Sequence, residues 1–214
     1  MANEPLIVLS AGAALVYGVF LSPRPPSAAR TVIKTLAVAP LAGLVVLENG
    51  HPLIAAGLAL SALGDAFLAG DPKKWLPFGL GAFLLAHLLY VAVFLYAGGD
   101  IESAFEPLRA IGILATLGAA GAMLAWLWPA LGKMKLAVVA YVAAIAAMVV
   151  TSLLLPAGYW PVMLGALAFF ASDGVLSVDL FKGLKLAGSA RITAWAIWGL
   201  YYLGQVGITA GFVQ

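Results

Sequence analysis

LIAAGLALSALGDAFLAGDPKKW (53–75) divides into two parts suited to different solvents. From Leu53 to Ala69 the run is apolar or small, broken only by Ser61 and Asp65. GDPKKW (70–75) then brings glycine, proline and charge together, which ends such a run. An apolar stretch of about 17–25 residues is what crosses the roughly 30 Å hydrocarbon core of a bilayer. Asp65 sits inside that stretch, with no charged residue nearer than Asp71. An Asp or Lys at mid-helix costs about 2.5–3.5 kcal/mol on insertion scales, so it persists where something requires it.

The same alternation of apolar run and polar break recurs along the whole chain. The 214 residues are 64% hydrophobic and only 9% charged, with a mean hydropathy of +1.08. A soluble domain carries about 25% charged residues. This chain lacks the polar surface to stay dissolved, and it reads as an all-α polytopic membrane helix bundle forming one domain over 1–214. Eight spans are expected, at about 5–21, 30–47, 53–69, 76–97, 107–128, 134–155, 159–181 and 191–212. SPRPPSAAR (22–30), ENGHP, GDPKKW, AGGDIESAFEP, WPALGK, LPAGYWP and FKGLKLAGS separate them. The runs are long and unalternating, which favours helices over barrel strands. The first span has no basic segment before it and no small-residue cleavage pattern after it, so it reads as a retained helix. There is no cysteine, which removes disulfides, thiolate metal sites and a thiol nucleophile. No basic block suits nucleic acid.

The few cations set a direction. Arg24, Arg30, Lys73, Lys74, Lys133, Lys135, Lys182, Lys185 and Arg191 flank the breaks after spans 1, 3, 5 and 7. On the other side only Arg109 appears, beside Asp100, Glu102 and Glu106. The positive-inside rule then places those four loops in the cytoplasm and both termini outside, in what reads as a bacterial cytoplasmic membrane. AGLALSALGDAFL (56–68) also aligns with LGALAFFASDGVL (164–176), pairing Gly57 with Gly165, Asp65 with Asp173 and Leu68 with Leu176. A weak 4+4 parallel repeat would follow from such a duplication, but three matches in an apolar background favour chance similarity.

The polar residues within the spans are Lys34, Asp65, His87, Asp173 and, near a boundary, Asp179. At about 1.5 Å per residue, Asp65 lies roughly 6–8 Å from the inner end of its span and Asp173 about 12 Å from the inner end of span 7. Lys34 is about one turn into span 2. His87 and Tyr90 share one face of span 4. Tyr201, Tyr202 and Gln205 lie mid-span in span 8, where interfacial belt aromatics are not expected. Five helices thus carry polar groups toward the inner half and centre of the bundle. Each has a plainer alternative: Lys34 snorkels to the headgroups or pairs with an aspartate, Asp179 is a solvated helix end, and His87 is a hydrogen-bonded core histidine. Ser172 beside Asp173 suits close helix packing, and Gly207 with Gly211 suits a helix contact.

A three-histidine zinc site is excluded, because His51 lies in an outer loop and His87 in mid-span. There is no nucleophile elbow and no phosphate loop. What remains is a carboxylate pair with helpers, in which one carboxyl holds a proton while the other acts as an anion.

GDAFL (64–68), GAFLLAHLLYVAVF (81–94), GALAFFASDGVLSVDLF (165–181) and YYLGQ (201–205) resemble, in order and spacing, the YhhN family of lysoplasmalogenase-like membrane proteins. The resemblance covers most of the chain. It implies an eight-helix integral membrane hydrolase that cleaves the vinyl-ether bond of a lysoplasmalogen to a fatty aldehyde and a glycerophospho-headgroup. The catalytic aspartates it implies map onto Asp65 and Asp173.

The polar set suits that chemistry. Vinyl-ether hydrolysis needs a positioned acid, an anion near an oxocarbenium ion and a base for water, roles that two carboxylates share in glycosidases. Lys34 is expected to bind the lipid phosphate, with His87, Tyr90, Ser172, Asp179, Tyr201, Tyr202 and Gln205 in supporting places and the apolar bundle around the tail. The partners are a lysophospholipid substrate and membrane lipid; no metal or organic cofactor is required. The competing reading is a proton-coupled transporter of a small molecule or lipid, which would place polar groups along both halves of a pathway.

Overall fold

A computed structural model describes residues 3–213, apart from the side chains of Pro72 and Lys73; the basic residue Lys73 therefore lies outside the described side chains. Eight long helices follow one another: α1 (Glu4–Val16), α2 (Ala28–Leu47), α3 (Pro52–Leu68), α4 (Pro72–Tyr96), α5 (Pro107–Leu127), α6 (Lys135–Leu153), α7 (Trp160–Lys182) and α8 (Ala190–Phe212). There is no strand among the described residues. Each expected span coincides with one helix to within a few residues.

The breaks work as their chemistry dictates. Pro52 and Pro107 begin α3 and α5, where a missing N–H costs nothing. Ser27 and Ser189 cap α2 and α8 by accepting from the amides of Arg30 and Ile192. Gly183, at φ 67°, ends α7 in the left-handed region that a Cβ disfavours. α1 continues into a π-helical turn, Tyr17–Leu21, in which the amide of Ser22 donates to the carbonyl of Tyr17 at 2.7 Å.

Six of the helical segments are long and apolar enough to cross a membrane, those built on α1, α2, α4, α5, α6 and α7. The shorter α3, at 17 residues, is also apolar. α8 has the length at 23 residues but carries Thr193, Gln205 and Thr209, all buried inward. The exterior is apolar: Val8, Leu15, Leu108, Leu114 and Leu136 are each more than two-thirds exposed. Such a surface is stable against hydrocarbon and not against water. The chain is an integral membrane protein.

α1 to α4 pack in succession, α4 then packs on α6, α6 on α7 and α7 on α8, and α8 returns to α2. α5 lies against α6 and α7. The ring therefore brings α2, α3, α7 and α8 around a common interior, though they are far apart in sequence. Arg109, the cation that stood apart from the basic loops, has a local explanation. Its guanidinium donates to the carbonyls of Leu153 and Leu155 at 2.9 Å, at the end of α6, and pairs with Glu106 at 2.9 Å. It caps a helix C-terminus, where positive charge is favoured.

α7 and α8 approach most closely. A Cβ on Gly165 would lie 2.7 Å from the carbonyl oxygen of Gly204 and 2.9 Å from the amide nitrogen of Ile208, and Gly207 and Gly211 also meet α7. The glycine pair read from the sequence thus serves a contact within the chain. Because both neighbours of Gly165 are backbone atoms, they cannot swing aside. Gly165→Ala is expected to destabilise the bundle by about 1–3 kcal/mol, read as a lower midpoint in thermal unfolding of the detergent-solubilised protein.

Candidate functional site

The interior of the ring holds a cavity of about 610 Å³, a size suited to a small-molecule or lipid ligand. Leu80 and Phe83 of α4, Ala120 and Met123 of α5, and Val138 and Ile145 of α6 give it apolar walls. Polar groups converge on it from five helices: Lys34 and Arg30 from α2, Asp65 from α3, Tyr141 from α6, Ser172, Asp173 and Asp179 from α7, and Tyr201 from α8.

Asp65 is buried and doubly held. The Lys34 ammonium lies 3.0 Å from one carboxylate oxygen, and the Tyr201 hydroxyl donates to the other at 2.6 Å. Lys34 in turn sits among three rings, with Tyr17 at 5.8 Å and Trp198 and Tyr201 at 5.9 Å from their centroids. These distances are at the outer limit of a cation–π contact. The Trp198 indole N–H donates to the carbonyl of Ala14 at 2.9 Å, which fixes that ring against α1. The π-helical turn that ends α1 places Tyr17 in this group; such turns frequently occur at functional sites. Lys34 is therefore a paired interior cation and does not snorkel to the headgroups.

Asp173 has different surroundings. The Tyr141 hydroxyl donates to its carboxylate, and no cation lies within ion-pair distance among the described residues. Ser172, next to it, donates to the carbonyl of Ile197 at 2.8 Å and so ties α7 to α8 behind the aspartate. Asp179 is paired with Lys185 near the end of α7. Asp65 and Asp173 thus face one cavity with unequal partners, one beside a cation and one beside a phenol.

Four of the residues singled out in the sequence do not line the cavity. Phe83, Phe169 and Tyr201 meet edge to face, with centroids 5.1–6.0 Å apart, and of the three Phe83 and Tyr201 line the cavity. His87 packs edge-on against Phe169 at 4.8 Å and against Tyr141 at 5.2 Å, and neither ring nitrogen has a hydrogen-bond partner among the described residues. The expected hydrogen bond from His87 to a carbonyl is absent among those residues. The Tyr90 hydroxyl donates to Gln205 at 3.0 Å in a fully buried pair. Tyr202 meets Ser10 at 2.8 Å. These four support neighbouring helices or rings and do not face the cavity.

Among the lining residues absent from the expected set are Tyr17, Arg30 and Tyr141. Tyr141 lies well inside its span, so the reasoning that flagged Tyr201 applies to it equally, whereas Tyr17 lies about one turn from the end of its span. Arg30 entered the sequence reading only as a marker of direction.

The YhhN family model matches residues 29–212. The chain belongs to the YhhN family. Two curated relatives, from Mycobacterium bovis and Mycobacterium tuberculosis, are each named "Lysoplasmalogenase" and are 35% identical over 224 aligned residues. The alignment covers 96% of this chain and 82% of each relative. No solved structure matches the chain significantly. All the cavity-lining residues of α2 to α8 in this YhhN member fall within the matched segment, whereas Tyr17 and Ser22 precede it.

Removing one partner of a buried ion pair leaves the other uncompensated, at about 3–5 kcal/mol. Lys34→Met is expected to lower stability by an amount on that order. Lys34→Met combined with Asp65→Leu is expected to recover most of the loss. A double-mutant cycle of unfolding in detergent measures both; additive losses would show that the pair contributes no coupling.

Proposed function

We propose that this chain hydrolyses the vinyl-ether bond of lysoplasmalogens, with Asp65 and Asp173 as its acid–base pair. The observation that carries the reading is that both aspartates face one largely apolar cavity, in a chain 35% identical to relatives named lysoplasmalogenase. The apolar walls receive the alkenyl tail, and the polar end receives the glycerol and headgroup.

The different partners of the two aspartates support a division of roles. Asp65, beside the Lys34 ammonium and accepting from Tyr201, works as the anion. Asp173, held by the Tyr141 hydroxyl without a cation, is the proton donor. It delivers its proton to the β-carbon of the RCH=CH–O unit, giving RCH2–CH=O⁺. Water adds to the carbon next to oxygen and loses a proton to Asp65. The resulting hemiacetal breaks its bond to the glycerol oxygen, which gains a proton from Asp65 and leaves as the alcohol, while the hemiacetal hydroxyl gives its proton to Asp173 and RCH2CHO is released. Asp65 thus returns the proton it took from water and Asp173 regains the one it gave, so both carboxyls end as they began. No redox change occurs, and water is the only co-reactant.

Asp65→Asn and Asp173→Asn are each expected to lower aldehyde release by at least 100-fold in folded, detergent-purified protein given a lysoplasmalogen. Absence of aldehyde from the wild type with both ethanolamine and choline headgroups would remove the hydrolase reading. Normal turnover in the two variants would instead remove the site assignment. Uptake into liposomes driven by a pH step, without aldehyde, would point to a carrier.

We also propose a bacterial cytoplasmic membrane location, with the basic loops in the cytoplasm and both termini outside. The clustering of nine of the eleven Lys and Arg residues on one side supports it. The absence of native cysteine makes the test direct. On intact cells, a membrane-impermeant maleimide is expected to label Glu102→Cys and leave Lys133→Cys unlabelled. The reverse pattern would invert the topology.

A further inference from the structure

We propose that Arg30, with Tyr17 beside it, forms a subsite of the same cavity for the phosphodiester anion of a lipid headgroup. This rests on the hydrolase reading for the identity of the lipid, but the subsite is argued from charge and placement.

Two cations line the cavity, Lys34 and Arg30. Lys34 is already matched by Asp65. Asp179, the other lining carboxylate in an ion pair, is matched by Lys185. Arg30 has no carboxylate within ion-pair distance among the described residues. Its Nε donates to the Tyr17 hydroxyl at 3.3 Å, and its guanidinium carbon lies 5.9 Å from the centre of that ring. The two terminal nitrogens have no protein acceptor among the described residues. Tyr17 thus fixes one edge of a planar fork and leaves the other edge for a ligand. That edge matches two oxygens of a phosphate, a geometry that a lysine does not provide.

Position gives the same ligand. Arg30 is in the first turns of α2 and half-buried, so it stands where the cavity meets the bundle end, with Ser22 also lining the wall. Lys34, on the same face one turn deeper, is about 6 Å further along the axis. In a lysoplasmalogen, three glycerol carbons and one oxygen separate the ether oxygen from phosphorus, a reach comparable with that turn. A lipid whose vinyl ether lies beside Asp65 and Asp173 therefore brings its phosphate to Arg30. The phosphate role expected for Lys34 passes to Arg30, because the Lys34 charge is used within the protein.

The test uses stable ligands, so that it stands without turnover. Binding to the full-length protein in detergent is measured for a 1-O-alkyl lysophospholipid, whose saturated ether is not a substrate, for 1-O-alkylglycerol of equal chain length, and for inorganic phosphate. A charge-assisted bond at this strength is expected to make the phospholipid bind at least about tenfold more tightly than the alkylglycerol. In Arg30→Gln that difference is expected to shrink to about twofold or less through loss of phospholipid affinity. Arg30→Lys, which keeps the charge without the fork, is expected to fall between the two. Millimolar phosphate is expected not to displace the phospholipid.

Equal weakening of both lipids in Arg30→Gln would show a packing role and overturn the subsite, as would a phospholipid advantage that survives the substitution. Displacement by micromolar phosphate would make it a free-anion site and overturn the headgroup assignment. In the turnover assay, Arg30→Gln is expected to raise KM for the lysoplasmalogen by about tenfold with little change in kcat, and to leave KM for 1-alkenylglycerol nearly constant. If the wild type releases no aldehyde but keeps its Arg30-dependent preference for the phospholipid, the hydrolase reading fails and the subsite stands.

Discussion

A lysine and an aspartate meet 3.0 Å apart inside a bundle whose outer face is hydrocarbon-like. Either charge alone would be costly there, and the pair is tolerable because each compensates the other and further groups complete the shell. Tyr201 donates to the free oxygen of Asp65, and three aromatic rings surround Lys34. Meeting those needs draws in α1, α2, α3 and α8 at once. The closure of α8 onto α2, the close α7–α8 crossing at Gly165 and the anchoring of Trp198 to α1 all hold that arrangement.

The same constraint shapes the cavity. Because Lys34 satisfies Asp65, Asp173 is left with a phenol and Arg30 with a tyrosine edge. Two carboxyls with different partners and one cation without an acid are a poor arrangement for stability alone. They suit a ligand that is apolar at one end, reactive in the middle and anionic at the other. The edge-to-face contacts of Phe83, Phe169 and Tyr201 tie α4, α7 and α8 together beside the cavity that Phe83 and Tyr201 line.

Much of this was readable in advance. A carboxylate within an apolar run is conspicuous, so Asp65 and Asp173 stand out without any structure. Lys34 stands out for the same reason, although whether it pairs, snorkels or binds a ligand is undecided by its position in the chain. His87, Tyr90, Tyr202 and Gln205 also stand out, yet they lie away from the cavity. Depth along a helix can be counted from the sequence, but the ring that intervenes between two polar groups of similar depth cannot. Tyr17, Arg30 and Tyr141 are the converse case: a tyrosine in an apolar helix or an arginine near a helix end has ordinary explanations, and only its neighbours show which applies.

Composition and the spacing of Gly, Pro and charge determined by themselves that the chain forms eight helices, most of them apolar, and to within a few residues where each begins and ends. These follow from local physics: hydrocarbon requires internal hydrogen bonding, and proline, glycine and charge interrupt it. Tertiary structure alone decided which polar residues meet. Whether Lys34 reaches Asp65, whether Tyr141 reaches Asp173, and whether the Arg30 fork faces a cavity depend on helix rotation and on contacts between residues more than a hundred positions apart, such as Asp65 and Tyr201. Those are fixed by the packing of side chains across helices, which no single stretch of the chain contains.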